Sequence, residues 1–225
     1  MKLRANIKLH NQDCMLAMKD MRDNQFDLSL VDPPYGIGVG SVGKMTSVSR
    51  KEYTKKDWDS CIPTKEYFDE LKRVSKNQII WGANYFNNMK ASPCWVIWDK
   101  KQEFTGAVFE MAWTSFKSPA KAFRMARCEA YCGINKIHPT QKPIALYKWL
   151  LTNYAKPGYK LLDTHSGSGS FRIAAYDMGF NLDSCELDPD YCHDNEARYQ
   201  NHIKQGDLFK PEEIQKQIYQ KELIK

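Results

Sequence analysis

The sequence has no long apolar run. Its longest purely apolar stretches, such as Cys94 to Trp98, fall far below the roughly 18 residues that a membrane span needs. Lys2, Arg4 and Lys8, with Asn11, Gln12 and Asp13 close behind, leave no apolar signal core near the start, so a cytoplasmic protein is expected. No internal repeat, low-complexity tract or Pro/Gly/Ser linker divides the chain. The cysteines are seven, odd in number and scattered, which argues for reduced thiols rather than a disulfide framework. Cys128 and Cys132 have no second close Cys/His pair to complete a zinc site, and Cys192-His193 is a lone neighbour pair, so no metal is expected.

What is present is ordinary globular composition: 225 residues, 42% hydrophobic and 27% charged. That length fits one α/β-sized domain with a sizeable segment inserted better than two independent folds. The 33 Lys and Arg outnumber the 27 Asp and Glu to leave +6, a basic excess that permits a nucleic-acid partner.

Short apolar runs alternate with amphipathic stretches. Phe26 to Val31 reads as a buried strand stopped by Asp32-Pro33-Pro34, because consecutive prolines cannot continue a ladder. Thr64 to Lys76 reads as a helix capped by Thr64, with Tyr67, Phe68, Leu71 and Val74 on one face. Gln78 to Trp81, Cys94 to Trp98 and Glu110 to Phe116 are further strand candidates. Then come a helix from Pro143 to Ala155, a strand from Tyr159 to Leu162 and a helix from Ser170 to Met178. A strand from Leu182 to Cys185 and a helix opening at Asp188-Pro189 and running to about His202 complete the series. Strand and helix in tight succession imply parallel pairing and an α/β sheet.

Two motifs carry chemistry. In the first, Leu161 to Asp163 leads through Thr164-His165-Ser166-Gly167-Ser168-Gly169 into a helix. Glycines let backbone pass close to a ligand, and an acid at the end of the next strand, Glu186, can bind two ribose hydroxyls. Ser170-Phe171 replaces the third glycine of a dinucleotide fingerprint, which argues against NAD or FAD. A plain strand-to-helix turn with Glu186 on the surface is the other reading of the same residues. The second motif, Asp32-Pro33-Pro34-Tyr35, reads as a rigid acceptor cluster. The lone pair of an exocyclic amine on a heteroaromatic ring is delocalised into the ring. A fixed carboxylate and a backbone carbonyl, each accepting one N–H, make that nitrogen more tetrahedral and aim its lone pair at an electrophile. Tyr35 offers a face on which a base can stack. The alternative is an Asp-Pro turn that merely closes a strand.

These two motifs, with His138-Pro139-Thr140-Gln141-Lys142-Pro143 between them, resemble the β-group of DNA amino-methyltransferases, and the segments Val74 to Gly82 and Asp163-Thr164-His165 are most similar to its small phage and prophage adenine methylases. The resemblance covers roughly Asn11 to Gln200. It implies a Rossmann-like domain with a seven-stranded sheet, circularly permuted so that the catalytic half precedes the cofactor half. It implies residues 1–84 as the catalytic half, 85–135 as a short target-recognition insertion, 136–210 as the cofactor half and 211–225 as a C-terminal helix or tail. The implied cofactor is S-adenosyl-L-methionine and the implied partner is double-stranded DNA, read at a short site with the target base flipped out. Asp32, Pro33, Pro34 and Tyr35 are then expected to hold the amine and its base. Gly167 and Gly169 line the methionine part of the cofactor, Glu186 takes the ribose and Asp13 lies near the adenine. Lys142 approaches the carboxylate end, and His138, Thr140, Asp163, His165 and Ser166 complete the cofactor set. At His165-Ser166 the broader family usually has an aromatic residue before the turn, so His165 is either a packing partner of the methionine moiety or a structural histidine. His138 is either a cofactor neighbour or a cap of the helix that Pro143 starts.

Two stretches are locally basic. From Gly36 to Lys56 stand Lys44, Arg50, Lys51, Lys55 and Lys56 against Glu52 alone. From Met111 to Arg127 stand Lys117, Lys121, Arg124 and Arg127 with no acid, interleaved with Trp113, Phe116 and Phe123. Cations suit phosphates and aromatic rings suit an extruded base, so both stretches are expected on a DNA face. The short insertion leaves little reading surface, which implies a short site or help from a second copy in a homodimer. The expected reaction is methylation of the N6 amine of adenine. The alternatives are the N4 amine of cytosine, an RNA or small-molecule amine, and a catalytically silent DNA-binding relative.

Overall fold

The computed structural model describes residues 5–41, 55–87, 89–101, 107–132 and 136–208. Among these, one mixed sheet of eight strands runs through the molecule, in the order β1-β8-β7-β2-β3-β5-β4-β6. The strands are β1 (Ile7–Asn11), β2 (Leu28–Val31), β3 (Gln78–Trp81), β4 (Trp95–Asp99), β5 (Phe109–Thr114), β6 (Lys121–Arg124), β7 (Lys160–Asp163) and β8 (Asn181–Glu186). The helices are α1 (Cys14–Lys19), α2 (Lys65–Val74), α3 (Arg127–Ala130), α4 (Ile144–Tyr154), α5 (Ser170–Met178) and α6 (Pro189–Leu208). Only β5 runs against its neighbours β3 and β4.

The expected α/β sheet is therefore present, with corrections in detail. The sheet has eight strands rather than seven. Residues 85–135 were expected as an insertion, yet they supply β4, β5 and β6, and Val96, Ala112 and Trp98 from them are buried in the core. Apolar β4 and β5 gain more by joining the sheet than by forming a separate lobe, since each buried aliphatic or aromatic side chain contributes about 1.5–3 kcal/mol. The tail at 211–225 lies outside the described residues.

Alternation along the central strands sends side chains to both faces. Leu28 and Leu30, with Ile79 and Trp81, pack against Leu146, Leu150 and Phe171 of α4 and α5. Val31 and Ile80 face the other way, toward Phe68 and Leu71 of α2 and Met18 of α1. β2 and β3 are covered on both sides, which explains their nearly continuous apolar sequence. From β7 the chain crosses by α5 to β8 on one side, and from β2 by α2 to β3 on the other. Because β7 and β2 are adjacent and parallel, the order reverses between them and opens a crevice at their carboxyl ends.

A polar clamp fixes the turn at that crevice. Gly169 has φ +73° and no room for a side chain, because Asn195 of α6 occupies the space a Cβ would take. Asn195 Nδ2 donates to Ser166 Oγ (2.9 Å) and to the Gly167 carbonyl (3.1 Å), while its Oδ1 accepts from the buried Arg172 guanidinium at 2.7 Å. Asn195→Leu removes both roles and leaves buried partners unsatisfied, a cost of about 1–3 kcal/mol. The expected fall in thermal midpoint is roughly 2–4 °C per kcal/mol for a chain of this size. An Asn195→Leu variant that melts together with the wild type would show that the clamp contributes nothing.

Candidate active site

The crevice holds two cavities that meet. One, of about 860 Å3, runs over the turn between β7 and α5 and is lined by Asp13, Tyr67, His165, Gly167, Glu186 and Tyr191 among others. The other, of about 670 Å3, lies over β3 and β5, with Tyr35, Tyr85, Lys100, Phe109, Glu110 and Tyr131 in its wall. Asp32, Pro34, Trp58, Thr140, Gln141 and Lys142 border both. The acceptor motif thus stands where the two spaces join.

Asp32 leaves the end of β2 into a network of charges. Tyr35 Oη donates to Asp32 Oδ1 (2.6 Å), and Lys142 Nζ donates to Asp32 Oδ2 (2.5 Å). Lys142 also pairs with Glu110 Oε2 (3.1 Å), whose other oxygen pairs with Lys100 (2.8 Å). The side chain of Lys142 is only 2% exposed, and its ammonium lies against the rings of Trp81 and Tyr35 at 5.2 and 5.7 Å from their centroids. Burial would strip its proton, but Asp32 and Glu110 outweigh burial and push its pKa up. Burial pushes the Glu110 carboxyl up as well, yet Lys142 and Lys100 prevail and hold it at about 2. For Asp32 burial prevails: its carboxyl is raised, with Glu110 adding to the rise and Lys142 and Tyr35 opposing it. A carboxylate in this state accepts hydrogen bonds strongly, and each oxygen keeps a further lone pair beyond the bond it has made.

Tyr35 is held on two sides. Its ring stacks on Tyr85 at 5.2 Å and 14°, and a Cβ on Gly82, at φ +69°, would overlap it. Glycine after β3 therefore makes the space that the motif's tyrosine fills. Asp59 anchors the same loop, its Oδ1 accepting from the Tyr35 and Gly36 amides at 2.7 and 3.0 Å and its Oδ2 from the Val39 amide at 2.8 Å.

In the larger cavity, Gly167 N–H donates to Glu186 Oε2 (2.7 Å) and Asp188 N–H to Glu186 Oε1 (3.0 Å), so the acid at the end of β8 is locked to the glycine turn. Asp13 caps α1 by accepting from the Met15 amide (2.7 Å) and stays exposed on the cavity rim. His138 Nδ1 accepts from the Thr140 amide (3.3 Å), so the histidine braces its own loop and does not cap α4. His165 Nδ1 and Tyr67 Oη both meet Thr164 Oγ1, at 2.9 and 2.7 Å. Burial, the leading cause in both, depresses the imidazoles of His138 to about 3 and His165 to about 4, so both are neutral at pH 7.

Of the expected cofactor residues, Gly169 and Asp163 do not border the larger cavity, and Lys142, which does, has its ammonium committed to other partners. Lys142 turns into the Asp32 and Glu110 network, because a buried ammonium needs anions and those two supply them. Gly169 makes room for Asn195 rather than bordering the cavity. Asp163 is 4% exposed behind the turn, where its Oδ1 accepts from the His165 amide (3.1 Å). Among the expected DNA residues, Lys44, Arg50 and Lys51 lie outside the described residues. Lys117, Lys121 and Arg124 are exposed, the last two on the edge strand β6. The ring of Phe123 packs on Trp149 (5.8 Å) and that of Phe116 on Tyr154 (5.0 Å), so these aromatics serve the core. Arg127 borders the smaller cavity. Lys56 is spent on Asp188 (2.5 Å) and Asp190 (2.8 Å), which ties the Lys55–Ile62 stretch to the start of α6. Glu110, Lys100 and Trp58 were not found from sequence; a lone acid between apolar neighbours in β5 was the only signal for the first.

A doubly wound α/β sheet with the Asp32–Tyr35 cluster at its switch point fits the Rossmann-like domain that the sequence resemblance implies. A family model described as DNA methylase, that of the N6/N4 methyltransferases, matches residues 83–197, and the chain belongs to that family. YubD of Escherichia coli (strain K12) is 26% identical over 222 residues, spanning 89% of this chain and 96% of its own. The type II methyltransferase M2.MboI of Moraxella bovis is 22% identical, over 86% of this chain and 88% of its own. Among solved structures, the M1.HpyAVI–SAM complex superposes with a TM-score of 0.57 at 17% identity, over 85% of this chain and 99% of that one. The PvuII DNA methyltransferase, described as cytosine-N4-specific, gives 0.57 at 14% identity, over 87% and 86%.

Asp163 yields a pH prediction. Burial first, then the charges of Asp32 and Glu186, raise its carboxyl to about 8 against the opposing His165 amide. The folded value lies above the unfolded one, so the stability it confers is complete below about pH 4 and is lost as pH rises toward 8. Asp163→Asn is neutral throughout. Its thermal midpoint should fall less than that of the wild type between pH 5 and pH 8, and equal falls would refute the assignment.

Proposed function

We propose that the protein is an S-adenosylmethionine-dependent DNA methyltransferase acting on the N6 amine of an adenine drawn out of the duplex. The observation that carries this reading is the meeting of two cavities at Asp32 and Pro34, one suited to a nucleoside-containing cofactor and one to a planar base. The residues present fit the cofactor. A space of about 860 Å3 suits a ligand of that size, and Asp13 and Glu186 offer acceptors to hydroxyl and amine groups. Neutral His138 and His165 place no charge against its cationic centres. Bound there, S-adenosylmethionine supplies an electrophilic methyl group on a sulfonium.

The chain's own part is to bind, orient and accept. Asp32 and the Pro33 carbonyl each accept one N–H of the exocyclic amine, which localises the nitrogen lone pair and points it toward the larger cavity. Fixed acceptors do this without reorganising, the main source of catalysis where no covalent bond to the protein forms. Tyr85 and Phe109, both substantially exposed in the wall of the smaller cavity, supply apolar surface against a flipped base. Lys117, Lys121 and Arg124 face phosphates.

The second reading is the N4 amine of cytosine, which presents the same kind of nitrogen and is the substrate class of the PvuII enzyme. Family members acting on cytosine more often carry Ser in place of Asp32, and this favours adenine here.

The test is to incubate the protein with unmethylated DNA and S-adenosylmethionine, digest the DNA to nucleosides and identify the product by mass spectrometry. N6-methyladenine is expected, absent with Asp32→Ala, while calorimetric binding of S-adenosylhomocysteine is retained by that variant. N4-methylcytosine would overturn the choice of base, and cofactor binding with no DNA product would overturn the enzymatic reading. Separately, Lys121→Gln together with Arg124→Gln should weaken DNA binding and lower the salt slope by about 0.9 per lost phosphate contact. An unchanged slope would remove the edge strand from the DNA face.

A further inference from the structure

The charge network around Asp32 contains an acid that the acceptor chemistry does not itself need. Glu110 stands near the start of β5, and because β5 runs against β3 its first residues lie at the carboxyl ends of the parallel strands, beside Asp32. Its Oε2 receives the Lys142 ammonium at 3.1 Å and its Oε1 the Lys100 ammonium at 2.8 Å. Lys142 reaches Asp32 at 2.5 Å with the same nitrogen. Charges therefore alternate along Asp32, Lys142, Glu110 and Lys100, and one ammonium serves two carboxylates.

We propose that Glu110 is a positioning residue for the acceptor site: by sharing the Lys142 ammonium it lets the lysine orient Asp32 without neutralising it. A lysine paired with Asp32 alone in so dry a place would take the carboxylate's lone pairs for itself and leave a poor acceptor for an amine N–H. A lysine absent altogether would leave a buried carboxylate that takes up a proton, and a protonated carboxyl is a weaker acceptor with one oxygen turned into a donor. Dividing the cation between two acids avoids both outcomes. Lys100 on the far side of Glu110 keeps that acid charged, so that it competes for Lys142 at every pH the protein meets.

The groups that face Asp32 are Tyr35 on its own loop, Tyr67 of α2, Glu110 of β5, Lys142 ahead of α4, Tyr147 of α4 and Asp163 of β7. Of these, Lys142 stabilises the anion by charge, and Tyr35 donates a hydrogen bond to it. Glu110 opposes its charge. Removing Glu110's charge must therefore lower the Asp32 midpoint, and removing Lys142's charge must raise it.

The inference rests on Asp32 being the amine acceptor, so its test has two independent readouts. The first is the titration of the Asp32 carboxyl carbon by 13C NMR in the ligand-free protein, assigned by its loss in Asp32→Asn. Glu110→Gln should move that midpoint down and Lys142→Met should move it up. The second is the pH profile of DNA methylation. Glu110→Gln should lower kcat by roughly 10- to 100-fold through a misplaced acceptor, with the KM for S-adenosylmethionine unchanged and the acid limb moved down. Lys142→Met should move the acid limb up. If Glu110→Gln fails to fold, Lys100→Met replaces it: Glu110 then draws Lys142 away from Asp32, and the carboxyl midpoint should rise. Midpoints and acid limbs that stay at the wild-type position while only stability or kcat changes would overturn the proposal. A wild type that methylates no DNA would overturn the proposed function instead, and the carboxyl titration would still decide the role of Glu110.

Discussion

The burial of one lysine organises this site. An ammonium as enclosed as that of Lys142 survives only beside anions, since taking such a charge out of water costs several kcal/mol before any partner repays it. Its partners come from the end of β2 and from β5, and Lys142 itself comes from the segment before α4. Three stretches remote in sequence are thereby pulled to one point above the switch between β7 and β2. Tyr35 closes the arrangement by donating to the other oxygen of Asp32, and Gly82 leaves the space in which its ring lies.

The larger cavity depends on a second set of polar ties. Glu186 receives the Gly167 amide, Asn195 receives Arg172 and holds Ser166, and Lys56 binds Asp188 and Asp190 across the opening. These ties pin the glycine turn from beneath and strap a loop over it from above. Turn, strap and acceptor motif meet at Trp58, Thr140 and Lys142, which border both cavities, so a ligand in one space must meet the residues that shape the other.

Much of the fold was legible in the residues. The strand at Gln78–Trp81 and the helix at Ser170–Met178 coincide with their expected limits, and the helices α2 and α4 lie within a residue or two of theirs. Strong periodicity and clear stops explain that agreement: Pro33-Pro34, Pro157-Gly158 and Gly179 leave the chain few alternatives. β1, α1, β6 and α3 were not foreseen. Ile7–Asn11 and Lys121–Arg124 are short edge strands with few buried side chains, and their pairing with β8 and β4 supplies a reason to be extended that their own sequence lacks.

The two motifs, their order along the chain, and the turns in which they lie could be read from the chain alone, because each is a contiguous pattern. Where the charged and aromatic side chains are spent was settled by the folded arrangement. Lys142 and Asp32 are 110 positions apart, and no local spacing reveals that they meet. Basic and aromatic residues expected on one DNA surface divide among exposed cations such as Lys117, Lys121 and Arg124, a lysine tied to Asp188 and Asp190, an arginine at the smaller cavity and rings packed into the core. The physical reason is the same throughout: an apolar or charged side chain takes its role from the partners that fold around it, and those partners arrive from other strands.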